Sequence, residues 1–591
     1  MGALHTYGFE TQRYVLAAPP RGLSAPTEGE RVSNHHHHWR SIVLTSVLVL
    51  AACGSSDDDA EGDAAPEPAD TTETTEATGA ETTAPAAGGT LVAAISSDPG
   101  GLNPAITTSG GTHTASELMF NGLVELDEAG EPQPELAESW EITDDGATYT
   151  FTLREEVVWH DGEPFTAADV VYTFNEVLTK LHSRTAASVG SSVTSIEAPD
   201  DTTVVFRFDQ PYAPLLQQLD VTEAPILPAH LFEGTDPMTN PANTAPVGTG
   251  PFRFVSYAPD SEVRLERNDD YFKDGLPLLD EVVLRVIEEE SSRLAALESG
   301  EVDFLFDTPG PERDRLTGDD AYATLETPIN PGGSNCMMTV SFNLDRPVFA
   351  DLRVRQAIGN ALDREQFLDR VLFGGGRVAE APISSGIAFA FADDVELPEL
   401  DVEAAEALLD EAGWVREGDG TRTAQGVEGV EDGTSLAFDF VHFPTFAAYG
   451  ELYRAQLAQV GIDVTLRPLD PPVFATTVFT DRAFDTNIIS YCNGPDPEIG
   501  VRRMFDSARI GPVPFSNAAG YSNPEVDALF AEAATTLDAD ARGELYGRIQ
   551  EQVAADLPYL WLVETESTRL FTAECSGFGP SGHFAETASC T

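Results

Sequence analysis

Side chains able to make or break bonds are plentiful in this 591-residue chain, yet their spacing serves no reaction. His160-Asp161 has the groups of an acid–base couple, but neighbours on a strand face opposite ways, so a turn-stabilising role is expected. Gly248-Thr249-Gly250 has the glycines of a phosphate loop. No Gly-Lys-Ser/Thr follows it and no G-x-G-x-x-G is completed, so it reads as a tight turn needing positive φ or close backbone approach. No G-x-S-x-G nucleophile and no H-E-x-x-H metal helix occurs. Carboxylates abound, and paired acids for glycoside cleavage keep an exported hydrolase as an alternative. No metal and no cofactor is expected.

Sulfur chemistry is the other possibility. The chain has five cysteines, Cys53, Cys336, Cys492, Cys575 and Cys590. Cys53 ends Leu50-Ala51-Ala52-Cys53, after the cationic Trp39-Arg40 and an uncharged run from Ser41 to Val49. That order makes a secretory signal, and a cysteine after small residues adds lipid attachment. The run is about 11 residues against the roughly 20 needed to span a bilayer. The start of the natural chain is read at Val32, and His35 to His38 fall in the segment that cleavage removes. The other four cysteines permit two disulfides in three arrangements. A metal site lacks a C-x-x-C pair and nearby histidine spacing. Cys575 and Cys590 flank a short tail that their pairing would staple, and Cys336 with Cys492 would then join two distant strands.

Formal charge is −66, and the only lysines are Lys180 and Lys273. Nucleic acid is a poor partner for such a surface, because affinity there rests on cationic contacts to phosphate. Residues 54 to 89 hold ten acidic residues and no basic ones. With too little apolar surface to offset ordering, they read as a disordered tether of roughly 30 to 35 Å mean reach.

Beyond the tether, period-two strands and helices alternate, which gives α/β layers. A buried strand is expected at Thr90–Ile95 and a loop over Ser97–Thr112, then a helix over Ala115–Leu123. Hairpins come next around Asp144-Asp145-Gly146 and Asp200-Asp201, with a helix capped by Thr166 and Asp169 between them. Later strands are expected at Phe252–Tyr257, Glu262–Arg267, Glu281–Ile287, Met337–Asn343, Ala437–His442, Phe484–Tyr491 and Tyr559–Val563. Helices are expected at Leu352–Leu362, Phe446–Val460, Pro524–Leu537 and Ala541–Asp556. Leu136, Trp140, Tyr149, Phe151 and Trp159 are expected in a core.

Four blocks carry a resemblance. Pro134 to Trp140, Asp145-Gly146, Tyr149, Phe151, Leu153-Arg154 and Val158-Trp159-His160-Asp161-Gly162 lead into Phe165 to Val170. Val247-Gly248-Thr249-Gly250-Pro251-Phe252, Leu297 to Asp303 and Asp351 to Ile358 come after them in order. Together they resemble the family 5 extracellular solute-binding proteins, which serve oligopeptide, dipeptide and nickel importers of the ABC type. The likeness runs from about residue 90 to 570.

The resemblance implies a type II periplasmic-binding-protein-like α/β fold of two hinged lobes, one carrying an extra small α+β domain. A leader and signal would occupy 1–52, the lipid anchor and linker 53–89. Lobe I would comprise 90–120, 244–333 and 566–591; the extra domain, 121–243; lobe II, 334–565. Crossings near 330–336 and 562–568 would allow the lobes to close on a ligand. Thr108-Ser109-Gly110 aligns with a loop lining the cleft of dipeptide binders. Peptide binders place an aromatic residue and, three positions on, an aspartate for the ligand ammonium where this chain has Tyr491 and Gly494; Asn493 or Asp496 is left to substitute. Cys492 falls on a disulfide cysteine whose partner aligns near Cys336. The resemblance also implies a monomer that captures short peptides, metal chelates or other solutes for an ABC permease, touching the membrane through its lipid alone. A sensory binding protein of the same fold is the further alternative.

Overall fold

The computed structural model describes residues 88–591 except 328, 331–334, 419, 580–582 and 591. The expected signal segment, Cys53 and the tether as far as residue 87 lie outside the described residues. Gly88 and Gly89, expected in the tether, are already bonded to the body: Gly88 N–H donates to the Leu278 carbonyl at 2.7 Å and Gly89 N–H to the Asp280 carboxylate at 3.0 Å.

Two large sheets organise the body. Thr90–Ile95 lies between Glu281–Val286 and Phe304–Leu305, parallel to both, in a seven-stranded sheet. Its edges are Tyr322–Thr327 and Phe252–Ala258. A six-stranded sheet takes Cys336–Phe342, Thr486–Cys492, Ala437–His442 and Tyr559–Thr565. These central strands are nearly continuous apolar runs because helices cover them. The helices Leu352–Asn360, Ala447–Gln459, Pro524–Thr535 and Ala539–Asp556 stand within a residue or two of expectation.

Between the first strand and the rest of the first sheet, the chain builds a four-stranded antiparallel sheet, ordered Ala137–Ile142, Thr148–Leu153, Thr203–Phe208, Val193–Asp200. Gly146, at φ 61°, closes the first hairpin. Thr166 and Asp169 form the expected capping box on Ala167–Tyr172. Leu136, Tyr149, Phe151 and Trp159 are buried as expected. Trp140 departs: on an edge strand it is only half-buried, its ring 6.4 Å from that of Phe151.

The helix expected at Ala115–Leu123 instead spans Gly110–Ser116. The reason is the glycine-rich turn. Gly250 N–H donates to the Met119 carbonyl at 2.9 Å and Phe252 N–H to the Leu118 carbonyl at 3.0 Å, so those carbonyls cannot extend a helix. Glycine serves this contact through close approach, not positive φ: a Cβ on Gly248 would lie 1.7 Å from the Met119 oxygen. His160 buttresses the same turn. Gly248 N–H donates to its Nδ1 at 3.2 Å, leaving Nε2–H to donate to the Gly250 carbonyl at 3.0 Å. Burial pushes this imidazole down to about 4, so it stays neutral, without acid–base work with Asp161, whose carboxylate instead meets His230 at 2.8 Å.

Gly248→Ala is expected to cost roughly 3 kcal/mol or more, since the obstacle is backbone that cannot rotate away. Urea unfolding of the variant beside Gly511→Ala, whose Cβ position has open space and whose φ is not positive, so that it shares only the glycine-entropy effect, checks it.

Candidate functional site

The two lobes line between them a cavity of about 360 Å³. The wall from the first lobe and its extra domain includes Glu117, Arg184, Asp220, Glu223 and Arg569; the wall from the second includes Asn335, Cys492, Gly494 and Arg503. The volume is near the lower end of the roughly 300–1,000 Å³ usual for small-molecule sites.

Most of the first wall's charges are already matched. Glu117 caps the end of Gly110–Ser116, 3.1 Å from His113 Nδ1, and accepts the Thr222 hydroxyl at 2.9 Å. Burial opposes ionisation of Glu117, but His113 and Thr222 hold its carboxyl below the usual range. Arg184 forks onto Glu223 at 2.9 and 3.0 Å. Arg569 lies over the rings of Phe306 and Phe584, at 6.0 and 5.9 Å.

Asp220 is different. Its carboxylate accepts the Glu223 N–H at 3.1 Å, and no basic side chain is in ionic contact with it among the described residues. Burial first, then the neighbouring Glu223, push its carboxyl up to about 7.

At the first wall, where Glu125 and His583 line the cavity, ligand atoms of Glu125, His583 and Glu586 lie within 4.8 Å of one another, close enough to hold a cation. The cation is supplied internally. The Lys273 ammonium stands 3.1 Å from Glu125, 2.8 Å from Glu135 and 3.2 Å from Glu586, and these carboxylates raise its pKa against the desolvation that opposes them.

Of the residues singled out from the sequence, Gly494 lines the cavity, and Cys492, disulfide-bonded to Cys336, lies beside it. Gly494 has φ 68°, and a Cβ there would come 3.1 Å from Ile499, so this backbone favours glycine over an aspartate. Thr108, Ser109 and Gly110 are exposed at the start of the helix whose far end carries Glu117; none is in the cavity wall. Tyr491 is fully buried, its hydroxyl donating to the Ser516 carbonyl at 2.8 Å. Asn493 turns inward and accepts the Ser384 N–H at 2.9 Å.

Asp496, held out as a partner for a ligand ammonium, is engaged elsewhere. Its two oxygens accept Arg542 Nη2–H at 3.0 and 2.7 Å, and Oδ1 also accepts the Glu498 N–H at 3.0 Å. Only 1% exposed, it pins the chain after the strand Thr486–Cys492 onto Ala539–Asp556.

Sequence reasoning missed Glu117, Asp220 and Arg503. One signal existed for the last: Glu498 and Asp506 stand four residues either side of Arg502 and pair with it at 2.8 Å each, leaving the adjacent Arg503 without them. The disulfides are Cys336–Cys492 and Cys575–Cys590, the former between directly opposed strand residues.

Similarity to known proteins extends along most of the chain. Residues 131–511 match the profile of the bacterial extracellular solute-binding proteins, family 5, middle region. A Brucella ovis protein named as an ABC transporter peptide-binding protein is 30% identical over 491 residues, covering 80% of this chain and 88% of its own. The oligopeptide-binding protein AppA of Bacillus subtilis, solved with a nonapeptide, superposes with a TM-score of 0.73 at 25% identity, over 86% of this chain and 100% of that one. NikZ from Campylobacter jejuni, solved with Ni(L-His), shares the fold at a TM-score of 0.73 and 24% identity, over 83% of this chain and 96% of its own.

Asp496→Ala should cost about 3–5 kcal/mol by stranding the buried Arg542 charge. Chemical denaturation checks the cost, and the variant that remains folded should keep its ligand affinity. Asp220→Asn should do the reverse. A carboxyl raised in the folded state costs stability as pH climbs from its unfolded value, about 3.9, through its folded one. With the folded value about 7, the variant should raise Tm clearly at pH 8 and much less at pH 5.

Proposed function

The chain belongs to the family 5 bacterial extracellular solute-binding proteins, and on that premise we propose that it is a lipid-anchored receptor that takes a short peptide or a solute of similar size and hands it to an ABC permease. As a member of that family it is a binding protein of an ABC importer, not an enzyme. The observation that carries the ligand reading is the cavity itself, walled by both lobes, small, and lined by charges of both signs. A cavity of about 360 Å³ suits a compact solute better than an extended chain. Short peptides are therefore favoured over the nonapeptide of the Bacillus subtilis relative.

The second lobe also touches the extra domain away from the cavity lining. Arg509 Nη2–H donates to the Ala187 carbonyl at 2.8 Å, and Leu537 packs within 2.7 Å of where a Gly146 Cβ would stand. A ligand bridging the walls favours this arrangement only by contacts that an open form lacks, which is how binding drives hinge closure. Export and anchoring rest on the signal pattern ending at Cys53. No helix among the described residues is long and apolar enough to cross a membrane.

A thermal-shift screen of di- and tripeptides tests the ligand. A peptide at a hundredfold excess over its Kd should stabilise the protein by about 2.7 kcal/mol, read as a raised Tm. Failure of every peptide, with a shift from a metal chelate or sugar, would replace the peptide. Cys53→Ser should move the protein from the membrane fraction to the medium of the expressing cells, and mass spectrometry of the wild-type N-terminus should find a diacylated Cys53. An unmodified, uncleaved N-terminus would remove the anchor.

A further inference from the structure

We infer that the cavity takes a solute charged at both ends, its anionic group seated on Arg503 of the second lobe and its cationic group on Asp220 of the first. This deepens the solute-binding reading and rests on it.

The argument is one of charge matching. Burying a charge without a partner is costly, so native structures pair such groups, bind an ion to them or neutralise them. In the first wall Glu117 has His113, Glu223 has Arg184, and Glu125 and Glu135 are in ionic contact with Lys273, which Glu586 also meets. Asp220, between Glu117 and Glu223, has none, and Arg184 beside it is committed to Glu223. In the second wall the charged side chain is Arg503.

Arg503 is built to receive an anion. Its guanidinium lies 5.7 Å from the centre of the Tyr491 ring, and the Tyr491 hydroxyl is itself anchored on Ser516. Nε–H donates to the Gly500 carbonyl at 3.0 Å and Nη2–H to the Cys492 carbonyl at 3.2 Å. These bonds fix the plane and use two of the five N–H groups an arginine has. No carboxylate is in ionic contact with it among the described residues. Burial first, then the nearby Arg184, pull it down to about 10 despite the opposing pull of Tyr491 and Glu223, as for a cation with no carboxylate in direct contact. A carboxylate can take the free N–H groups as a fork.

The two unmatched groups have opposite sign and stand on opposite walls, so a ligand with one charge would satisfy one and strand the other. The polarity also differs from the one the sequence resemblance implied. An acid at position 494 would have drawn an ammonium to the second lobe; Gly494 offers no side chain, and the charge on that wall is positive.

The test is calorimetric titration of the full-length protein with trialanine, trialanine amide and N-acetyl-trialanine. Wild type should prefer trialanine at least tenfold over each derivative. Arg503→Gln should lose the preference over the amide and keep that over the acetyl form; Asp220→Asn should do the opposite; Arg503→Lys should keep part of the first. Both preferences surviving in both variants, or the losses exchanged between them, would overturn the assignment and leave the solute-binding reading intact. If wild type takes none of the three, the peptide reading fails. The assignment is then read on the solute that native mass spectrometry finds carried through purification. A solute lacking either an acid or a basic nitrogen overturns the assignment, as does one whose affinity both variants preserve. One bearing both, and weakened tenfold or more by each variant, sustains it.

Discussion

The molecule depends on how the chain passes from one sheet to the other. Tyr322–Thr327 pairs with Ser567–Thr572 in the first sheet, ending at Thr327 opposite Ser567. Cys336–Phe342 pairs with Tyr559–Thr565 in the second, beginning at Cys336 opposite Thr565. The two crossings are thus neighbours on both sides of the gap, and on one of them Glu566 alone separates the strands. A short double crossing of this kind lets φ and ψ changes at few residues swing whole lobes, while the ladders either side keep each lobe intact. It also places the ligand between the lobes, where Phe306 and Arg569 of the first and Asn335 and Cys492 of the second line one cavity.

Each lobe therefore has its own fastening near the crossing. In the second, the Cys336–Cys492 disulfide joins directly opposed strand residues, and the Thr565 hydroxyl donates to the Cys336 carbonyl at 3.2 Å. In the first, the C-terminal tail returns: Cys575–Cys590 closes a small hairpin, and His583 Nε2 meets the Phe120 carbonyl at 2.8 Å. The tail also brings Glu586 to Lys273. In a chain carrying a formal charge of −66, one of its two lysines serves three carboxylates, Glu125 and Glu135 at the cavity wall and Glu586. Among the carboxylates near the cavity, Glu125, Glu135 and Glu586 share that one lysine, while Asp220 has no basic side chain in ionic contact among the described residues.

Much of the fold was legible because its signals are local. The hairpin at Asp144-Asp145-Gly146, the Thr166–Asp169 capping box and the apolar runs of the central strands depend on residues a few positions apart. The first helix was misplaced because Met119 and Leu118 give their carbonyls to a turn more than a hundred residues away. Trp140 was placed in the core on its size alone, whereas its exposure results from its strand being an edge.

Sequence alone determined the layers, the order of the elements, the glycine demand at Gly248 and Gly250, and the family that these blocks point to. It could name Asp496 as an acid near the right strand, but not that Arg542, forty-six positions on, would claim it. Which charges face the cavity was decided only by tertiary structure, since Glu117, Asp220 and Arg503 come from segments far apart. A side chain's charge is written in its own codon, but its partner is whichever group packing brings within about 4 Å, and at that range pairing or its absence outweighs sequence neighbourhood.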